Sequence, residues 1–468
     1  MFWSRMKKIL SDLLRLPENP VRTGRLLLLI LLLAAVPRIF LLVRVSDEDF
    51  LHNDGREYME ISRQLSRGNG FSLSYYRWHE VKPPDAAEGS LHPDLARTPL
   101  FPLLGSVLFF LPFQVMISAR AVSLILSLLA LYCVFLLGRE AAGRACGLWS
   151  ALIFAFYPYA LYYCTSWSTE NLFLICLSLS FLFLLKTLHG KWNVLPWCGL
   201  FLGLTALTRP TAVLLPAAFA AVLWFRFMAA GSLKWRIRTL KLFRPVSAKL
   251  AVRFGIFLLV FALVMLPWMY RNRQVAGTWN PATYYDGYIF WLSFSRIMTE
   301  TYRTLDTPEY ADRTTEVWNE EHAYRLGELR RLGITDFLAA GDQWRKWGRE
   351  RIGESPRMAL ELIGQRFLHY WRMCPNLVIL KPWQILLIRI YFSALFIFAL
   401  YGVYLLRRRT ELLILLLPVL FGMVISIPFL FVLRFRFPFF APYLCILAGA
   451  AWSAAARNWI KRINKSKN

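Results

Sequence analysis

The sequence predicts an all-α polytopic membrane protein: a bundle of about 10–11 transmembrane helices with juxtamembrane helices at the outer face and a small helical cap outside the membrane. The 468-residue chain is 57% apolar, and its mean hydropathy is +0.42. Apolar runs of about 17–23 residues recur along it, and each is long enough to cross a bilayer core as a helix. A soluble protein with this composition would have too few polar residues to cover its surface.

Ten apolar runs are predicted to cross the membrane. They are residues 26–44, 118–138, 146–164, 170–187, 194–208, 211–227, 254–270, 384–406, 411–433 and 438–456. With ten crossings, both ends of the chain lie on the cytoplasmic side. The basic loops then also lie in the cytoplasm, as the positive-inside bias requires. The strongest are residues 226–253, with eight Lys or Arg and no acid, residues 407–409, and the tail 461–467.

Residues 98–113 form an apolar stretch that is short and contains three prolines, at positions 99, 102 and 112. Counting it as a crossing would place the basic stretch 226–253 outside, against the charge bias. We therefore expect it to be a helix that lies at the outer face or dips into it.

The net charge of +26 does not indicate nucleic-acid binding. The basic residues flank apolar runs, and no recognition module accompanies them, so they are topology signals and contacts for anionic lipid.

The seven cysteines lie mostly in apolar runs and form no CxxC pair, which excludes a disulfide framework. The first apolar run follows a basic segment and lacks a small-residue cleavage site, which predicts an uncleaved anchor.

The chain divides into three predicted parts. Residues 1–270 form an N-terminal transmembrane module whose first outer loop is 45–117, and residues 271–383 form an extracytoplasmic cap. Residues 384–468 supply the C-terminal transmembrane helices and a basic cytoplasmic tail. The middle of the cap is polar, and its apolar positions recur at three- and four-residue steps, which predicts helices.

Asp54 is the most informative acidic residue, because a carboxylate at the membrane surface is costly to keep there without a use. It lies in the first outer loop, just past the first apolar run. In a helix that starts after it, Glu57 and Glu60 would share one face, and Tyr58 would lie on the other. Asp54 is placed to take a proton from a hydroxyl group. The alternative is that Asp54 only caps this helix.

Further polar residues are predicted at the same membrane face. Glu170 lies between the third and fourth apolar runs. The alternative is that it only follows the residue that caps the fourth helix. Arginines occur where the outer loops meet the membrane: Arg97, Arg209, Arg271, Arg273, Arg434 and Arg436. Outer arginines run against the positive-inside bias. Guanidinium groups bind phosphate oxygens through paired hydrogen bonds, so a lipid-borne phosphate would explain the set. Contact with lipid headgroups is the alternative for any single arginine.

A metal site has weak support in the sequence. His52, His79 and His92 lie in the first loop, but their spacing matches no compact ligand motif. A divalent ion there is possible, and no cofactor is required. His52 is close enough to Asp54 in sequence to orient it. No P-loop, GxSxG or dinucleotide-binding fingerprint occurs, so use of a nucleotide sugar has no support.

These residues resemble motifs of the GT-C membrane glycosyltransferases, in the branch of protein O-mannosyltransferases and lipid A aminoarabinose transferases. Each motif is weak alone, but the ordered set covers most of the chain and is specific. The motifs are Asp54-x-x-x-Tyr58-x-Glu60-Ile61 with Gly68-x-Gly70, Arg97-Thr-Pro-Leu-Phe-Pro102, Thr169-Glu170, Leu207-Thr-Arg-Pro210, Pro267-Trp-x-x-Arg271-Asn272 and Arg434-x-Arg436-x-Pro438.

The resemblance implies an enzyme of the bacterial inner membrane that moves a sugar from a polyprenyl phosphate, such as undecaprenyl phosphate, to an acceptor on the periplasmic face, with inversion. The acceptor could be lipid A, another glycolipid, a polysaccharide or a protein. Asp54 would be the general base, or would orient the nucleophile, and Glu170 would help to place the acceptor or the sugar. The implied donor-phosphate residues are Arg97, Arg209, Arg271, Arg434 and Arg436. The implied positioning residues are His52, Glu57, Tyr58 and Glu60.

The chain departs from the family pattern in two places. Many relatives carry Asp-Glu in the first loop, whereas Gly55 follows Asp54 here, which puts a two-carboxylate scheme in doubt. Relatives of the aminoarabinose branch carry Lys-Pro where this chain has Arg97-Thr-Pro99; residues 82–84 (Lys-Pro-Pro) also fit, but no apolar helix follows them directly.

A transporter or flippase of lipid-linked glycans is the alternative function. It would also use outer arginines, but it would favour charged or broken helices near mid-membrane and two related halves. The predicted spans are almost free of acids, and the polar groups collect at one face. This pattern favours a surface enzyme whose partners are a lipid-linked donor, an acceptor and membrane lipids.

Overall fold

The computed structural model describes residues 20–52, 54–228, 248–372, 381–429 and 433–465. Helices account for almost all of its secondary structure, and the strands of the described part are one antiparallel pair of two residues each. The prediction of an all-α polytopic protein is confirmed.

In the first half of the chain, the described residues form ten helices and the strand pair. They are α1 (Pro20–Arg44), α2 (Asp47–Phe50), α3 (Gly55–Ser66), β1 (Ser72–Leu73), β2 (His92–Pro93), α4 (Leu100–Ser106), α5 (Val115–Ala142), α6 (Arg144–Ala155), α7 (Pro158–Tyr162), α8 (Glu170–Leu188), α9 (Leu195–Thr208) and α10 (Leu215–Met228). Short 3-10 turns follow α4 and precede α9 and α10.

In the second half, the described residues form nine more helices. They are α11 (Ala248–Ala276), α12 (Asp286–Phe294), α13 (Arg296–Thr304), α14 (Tyr310–Arg331), α15 (Phe337–Glu354), α16 (Pro356–Tyr370), α17 (Pro382–Leu406), α18 (Thr410–Ser426) and α19 (Leu433–Lys465). Helices α12–α16 occupy the segment predicted as the cap.

Six of the described helices are long and apolar enough to cross a membrane: α1, α5, α8, α11, α17 and α19. Shorter apolar helices accompany them, at α4, α6, α9, α10 and α18. The chain is therefore a multi-pass membrane protein. Most of the side chains of the basic stretch 226–253, and those of the tail 461–467, lie outside the described residues, so their cytoplasmic placement stays a prediction.

The predicted third span, 146–164, is not a continuous helix. Helix α6 ends at Ala155 and α7 begins at Pro158, with Tyr157 between them in an extended conformation (φ −65°, ψ 121°). Proline lacks the amide hydrogen that a continuing helix needs, and it disfavours helical geometry at the residue before it. The predicted span 411–433 likewise ends early, because α18 stops at Ser426.

The stretch predicted to lie at the outer face, 98–113, contains α4 and the 3-10 turn Val107–Phe110. Together they are about 16 Å long at 1.5 Å per residue, roughly half the thickness of a bilayer core.

Arg38, in the first membrane helix, is fully buried and was not singled out from the sequence. Its guanidinium donates to Ser127 Oγ at 2.8 Å and to the carbonyl oxygens of Ala34 and Ala155 at 2.8 and 2.9 Å. Ala155 is the last residue of α6, so the arginine satisfies a carbonyl that the broken span leaves without a helical donor. Arg38 thereby links α1 to the point where the predicted third span is interrupted, between α6 and α7.

The cap has its own apolar core. Its centre includes Trp291, Trp344 and Leu329, and Val81 of the first outer loop packs into the same cluster. Trp78, also from that loop, lies 4.7 Å from the ring of Trp318 between ring centroids. The first outer loop and the cap therefore pack as one unit above the membrane helices.

Helices α17 and α19 are in close contact at Gly402. A Cβ atom at this position would collide with the backbone carbonyl of Leu447 on α19. We expect Gly402→Ala to push the two helices apart and to lower the free energy of unfolding by about 1–3 kcal/mol. Thermal unfolding in detergent measures the effect.

Gly364 supplies the matched control, because it is helical, exposed and has open space where a Cβ would go. Gly364→Ala should leave stability unchanged or raise it slightly, since alanine restricts the unfolded chain. Equal unfolding temperatures for Gly402→Ala and the native protein would contradict the close packing.

Candidate functional site

Asp54 precedes the first residue of α3, but its side chain makes no capping hydrogen bond. Instead, Arg97 Nη2 donates to its Oδ1 at 2.7 Å, and Arg434 Nη2 donates to its Oδ2 at 2.6 Å. Each carboxylate oxygen thus has a different guanidinium partner. Helix capping does not account for this side chain.

Glu170 lies at the first residue of α8 and is fully buried. Arg434 Nε donates to its Oε1 at 2.8 Å, and Arg209 Nη2 donates to the same oxygen at 2.5 Å. Arg209 also donates through Nε to Thr169 Oγ1 at 2.9 Å. Arg434 therefore bridges the two acids that the sequence singled out, Asp54 and Glu170.

The network continues from Arg97 into the first outer loop. Arg97 Nε donates to Glu57 Oε2 at 2.8 Å, and Arg77 Nε donates to the same oxygen at 2.6 Å. Arg77 also pairs with Glu80 at 2.7 Å and with Asp94. Sequence reasoning missed Arg77 because it lies in the polar middle of the loop, away from the membrane boundaries that identified the other arginines.

The charges in this cluster nearly balance. Its carboxylates are Asp54, Glu57, Glu80, Asp94 and Glu170, and its cations are Arg77, Arg97, Arg209 and Arg434. Burial would raise the pKa of Asp54, but the guanidiniums of Arg97 and Arg434 outweigh burial and hold that pKa well below its usual value. Asp54 is therefore ionised in this arrangement.

Two other predicted residues lie beside this network. The ring of Tyr58 is 5.4 Å from Arg97 Cζ and packs edge-on against Phe101. Arg271 donates to the carbonyl oxygen of Phe71 at 3.1 Å, and its guanidinium lies over the ring of Trp268.

Other predicted site residues lie apart from it. Glu60 accepts hydrogen bonds from the side chains of Gln64 and Ser74, both at 2.6 Å. These partners hold its carboxylate next to the loop that follows α3. Arg436 is buried and donates to the backbone of Tyr370 and Arg372, so it anchors α19 to the end of α16.

His52 is exposed, and no hydrogen bond joins it to Asp54 among the residues that the structure describes. Within those residues there is also no group of three or more His, Cys, Asp or Glu side chains that could hold a metal ion. The roles assigned to the site residues from the sequence stay predictions.

Part of the chain matches a protein-family model. The family model described as dolichyl-phosphate-mannose-protein mannosyltransferase matches residues 92–270, which is less than half of the chain. The matched stretch contains Arg97, Glu170 and Arg209. No curated protein matches the sequence significantly.

Solved structures match over most of the chain. The apo oligosaccharyltransferase of Archaeoglobus fulgidus aligns with a TM-score of 0.54 and 13% identity, covering 94% of this chain and 52% of that one. The same archaeal enzyme, AglB, in complex with an inhibitory peptide and a dolichol-phosphate, aligns with a TM-score of 0.53 and 14% identity over 94% and 52%. ArnT from Cupriavidus metallidurans aligns with a TM-score of 0.37 and 15% identity over 92% and 78%.

These findings confirm the resemblance to the GT-C superfamily: part of the chain matches the mannosyltransferase family model, and its fold is similar to that of the archaeal oligosaccharyltransferase. The chain spans about half the length of the archaeal oligosaccharyltransferase that it matches.

Glu170 tests how far the network stabilises the fold. Glu170→Gln keeps the shape of the side chain but leaves Arg209 without its carboxylate partner and Arg434 with Asp54 alone, so we expect a loss of about 3–5 kcal/mol in the free energy of unfolding. The control is Glu328→Gln, which breaks a surface pair with Arg331 and should cost about 0–1 kcal/mol. Similar unfolding temperatures for the two variants would show that the network does not hold the helices together.

Proposed function

We propose that this protein is an integral-membrane glycosyltransferase that moves a sugar from a polyprenyl-phosphate donor to a lipid, glycan or protein acceptor. One observation carries the proposal: an ionised carboxylate, Asp54, lies between two arginines at the place where the first outer loop meets the last membrane helix. A transfer of this kind needs a base for the acceptor hydroxyl and cations for the leaving phosphate. The description of the matched family and the dolichol-phosphate in the archaeal oligosaccharyltransferase complex support it.

The reaction is a single displacement. The acceptor oxygen forms a bond to the anomeric carbon while the bond from that carbon to the phosphate oxygen breaks, and the configuration inverts. Asp54 takes the proton from the acceptor, and the lipid phosphate leaves with the bonding electrons. Arg434, Arg97 and Arg209 stabilise the charge that develops on the phosphate, because guanidinium groups pair well with its oxygens.

In the structure these arginines are already paired with carboxylates. A donor phosphate that binds them must compete with Asp54 and Glu170 for the same N–H groups. Once the phosphate takes part of this pairing, Asp54 loses cationic neighbours and its pKa rises toward the usual value, which makes it a better base. Binding of the donor and activation of the base are then coupled through Arg97 and Arg434.

The site faces the periplasm of a bacterial inner membrane, with both termini of the chain in the cytoplasm. The positive-inside distribution of the basic loops supports this orientation. Undecaprenyl phosphate is the donor lipid that this location implies, with a hexose or pentose as the transferred sugar. Lipid A is one of the acceptors within reach from that side.

The transporter alternative has less support. In the described residues the linked charges collect at the outer ends of α8 and α19 and in the first loop, not along a path through the bundle. Arg38 lies within the first membrane helix, and serine and carbonyl oxygens hold it in place. Turnover separates the two functions, because a transporter would bind the donor without cleaving it.

Asp54→Asn gives the sharpest test of the reaction. The amide keeps the size of the side chain but cannot take the proton, so we expect transfer to fall by about 100-fold or more. Donor binding should persist. Release of lipid phosphate from radiolabelled polyprenyl-phosphate sugars in detergent measures turnover, and scanning fluorimetry checks that the variant is folded.

Glu48→Gln is the matched control, since Glu48 is an exposed acid in the same loop and should leave transfer unchanged. Full transfer by a folded Asp54→Asn protein would overturn the mechanism. Donor binding without turnover by the native protein, across several sugars and acceptors, would overturn the proposed activity.

A further inference from the structure

A partly enclosed cavity of about 330 Å³ lies between the first outer loop and the cap. Its walls come from residues 76–95 of the loop, residues 275–288 after α11, and the start of α15. Its volume is at the lower end of the range for small-molecule sites, roughly 300–1,000 Å³. The cavity therefore fits one small ligand or one end of a larger one.

The lining combines aromatic rings with hydrogen-bonding groups. Tyr76, Tyr285, Tyr288 and Trp344 supply rings, while Glu80 supplies a carboxylate. A sugar ring presents C–H groups on its faces and hydroxyls on its rim, so it matches walls of this mixed kind. Aromatic side chains with a few placed polar groups are typical of small-molecule sites.

His79, in the cavity wall, has unsatisfied ring nitrogens. Both of them are buried without a hydrogen-bond partner among the described residues, whereas the ring of His92 lies within reach of the backbone of Ser90. The nearest carboxylate oxygens belong to Glu80, at 3.9 Å from His79 Nε2 and 3.8 Å from His92 Nε2, which is too far for a hydrogen bond. Buried polar groups without partners are rare in native proteins. A ligand with hydroxyl groups can supply the missing partners, with a small rotation of the rings.

The charges at the cavity favour a neutral ligand over an anion. Arg77 lines the wall, but Glu57, Glu80 and Asp94 already neutralise it. Burial, with the nearby cations Arg77 and Arg97, holds the pKa of His79 well below its usual value, so the ring is neutral. A neutral imidazole has one donor and one acceptor, which suits hydroxyl groups.

The cavity adjoins the proposed reaction centre through Tyr285 and Arg97. The ring of Tyr285, in the cavity wall, is 5.7 Å from Arg97 Cζ, and Arg97 binds Asp54. Arg434 binds the other oxygen of Asp54 and also binds Glu170, which Arg209 contacts as well. Arg97 therefore links the cavity wall to Asp54, while Arg209 and Arg434 belong to the part of the network beyond Asp54.

We propose that this cavity binds a saccharide portion of the acceptor, through ring stacking on its tyrosines and hydroxyl contacts with His79, His92 and Glu80. The inference rests on the proposed glycosyl transfer and names the chemical class of the acceptor. A protein acceptor without sugar would leave the cavity unused.

Saturation-transfer NMR on the full chain in detergent tests the proposal without donor or turnover. The probes are the methyl glycosides of glucose, galactose, mannose and N-acetylglucosamine, and inorganic phosphate is added as a competitor. We expect at least one glycoside to bind the native protein, and phosphate not to displace it.

Thr335→Trp fills the cavity from its wall, so it should weaken glycoside binding about tenfold or more. Gly341→Leu is a second filling variant, because a Cβ at Gly341 meets only ordinary contact with Tyr284. Ala339→Trp is the control, since Ala339 is exposed and lies outside the cavity wall; it should bind glycosides as the native protein does. Thermal unfolding confirms that each variant is folded.

Absence of glycoside binding, equal binding by the folded filling variants, or displacement by phosphate would each overturn the saccharide site. Asp54→Asn should bind glycosides normally, so its loss of transfer and the loss of glycoside binding in Thr335→Trp are separate results. Failure of the proposed transfer activity would therefore be distinguishable from failure of the cavity as a saccharide site.

Discussion

The two ion pairs of Asp54 hold together parts of the chain that are far apart in sequence. Arg434 reaches Asp54 across 380 residues, and Arg97 reaches it from the end of the first outer loop. Through Glu170 and Arg209 the same network joins α8 and the end of α9 to α19. Removal of one member of a buried charge pair leaves an uncompensated charge, so the site and the helix packing depend on each other.

The same pairing determines what the site can do. Phosphate and carboxylate compete for the same guanidinium groups, and both accept paired hydrogen bonds from them. Without donor, the carboxylates neutralise the arginines and keep the charged groups satisfied at the edge of the membrane. In the proposed mechanism, the phosphate of the donor takes over part of that pairing and frees Asp54. The arginines would then serve the fold in one state and the leaving group in the other.

The sequence predicted the helical membrane architecture and the face at which Asp54, Glu170, Arg97, Arg209 and Arg434 meet, because charged residues beside apolar runs identify membrane boundaries. The sequence alone could not show which of the two arginines, Arg434 or Arg436, contacts Asp54. Two residues apart on a helix, their side chains point in nearly opposite directions, and only tertiary packing decides which one faces Asp54. Arg77 escaped notice because it lies in the polar middle of the loop, away from the membrane boundaries that identified the other arginines. Pro158 alone predicts that the helix is interrupted just before it. The apolar residues on both sides nevertheless made 146–164 look like one continuous span.

The most direct test of this account measures the binding of a polyprenyl phosphate that carries no sugar, in a double-mutant cycle of Asp54→Asn and Arg434→Gln. The account predicts that Asp54→Asn binds the lipid phosphate at least as tightly as the native protein, because a competitor for Arg434 is removed. Arg434→Gln should bind it about tenfold or more weakly, and the gain from Asp54→Asn should shrink in that background. Native-like binding by a folded Arg434→Gln protein, or weaker binding by Asp54→Asn, would contradict the exchange of carboxylate for phosphate.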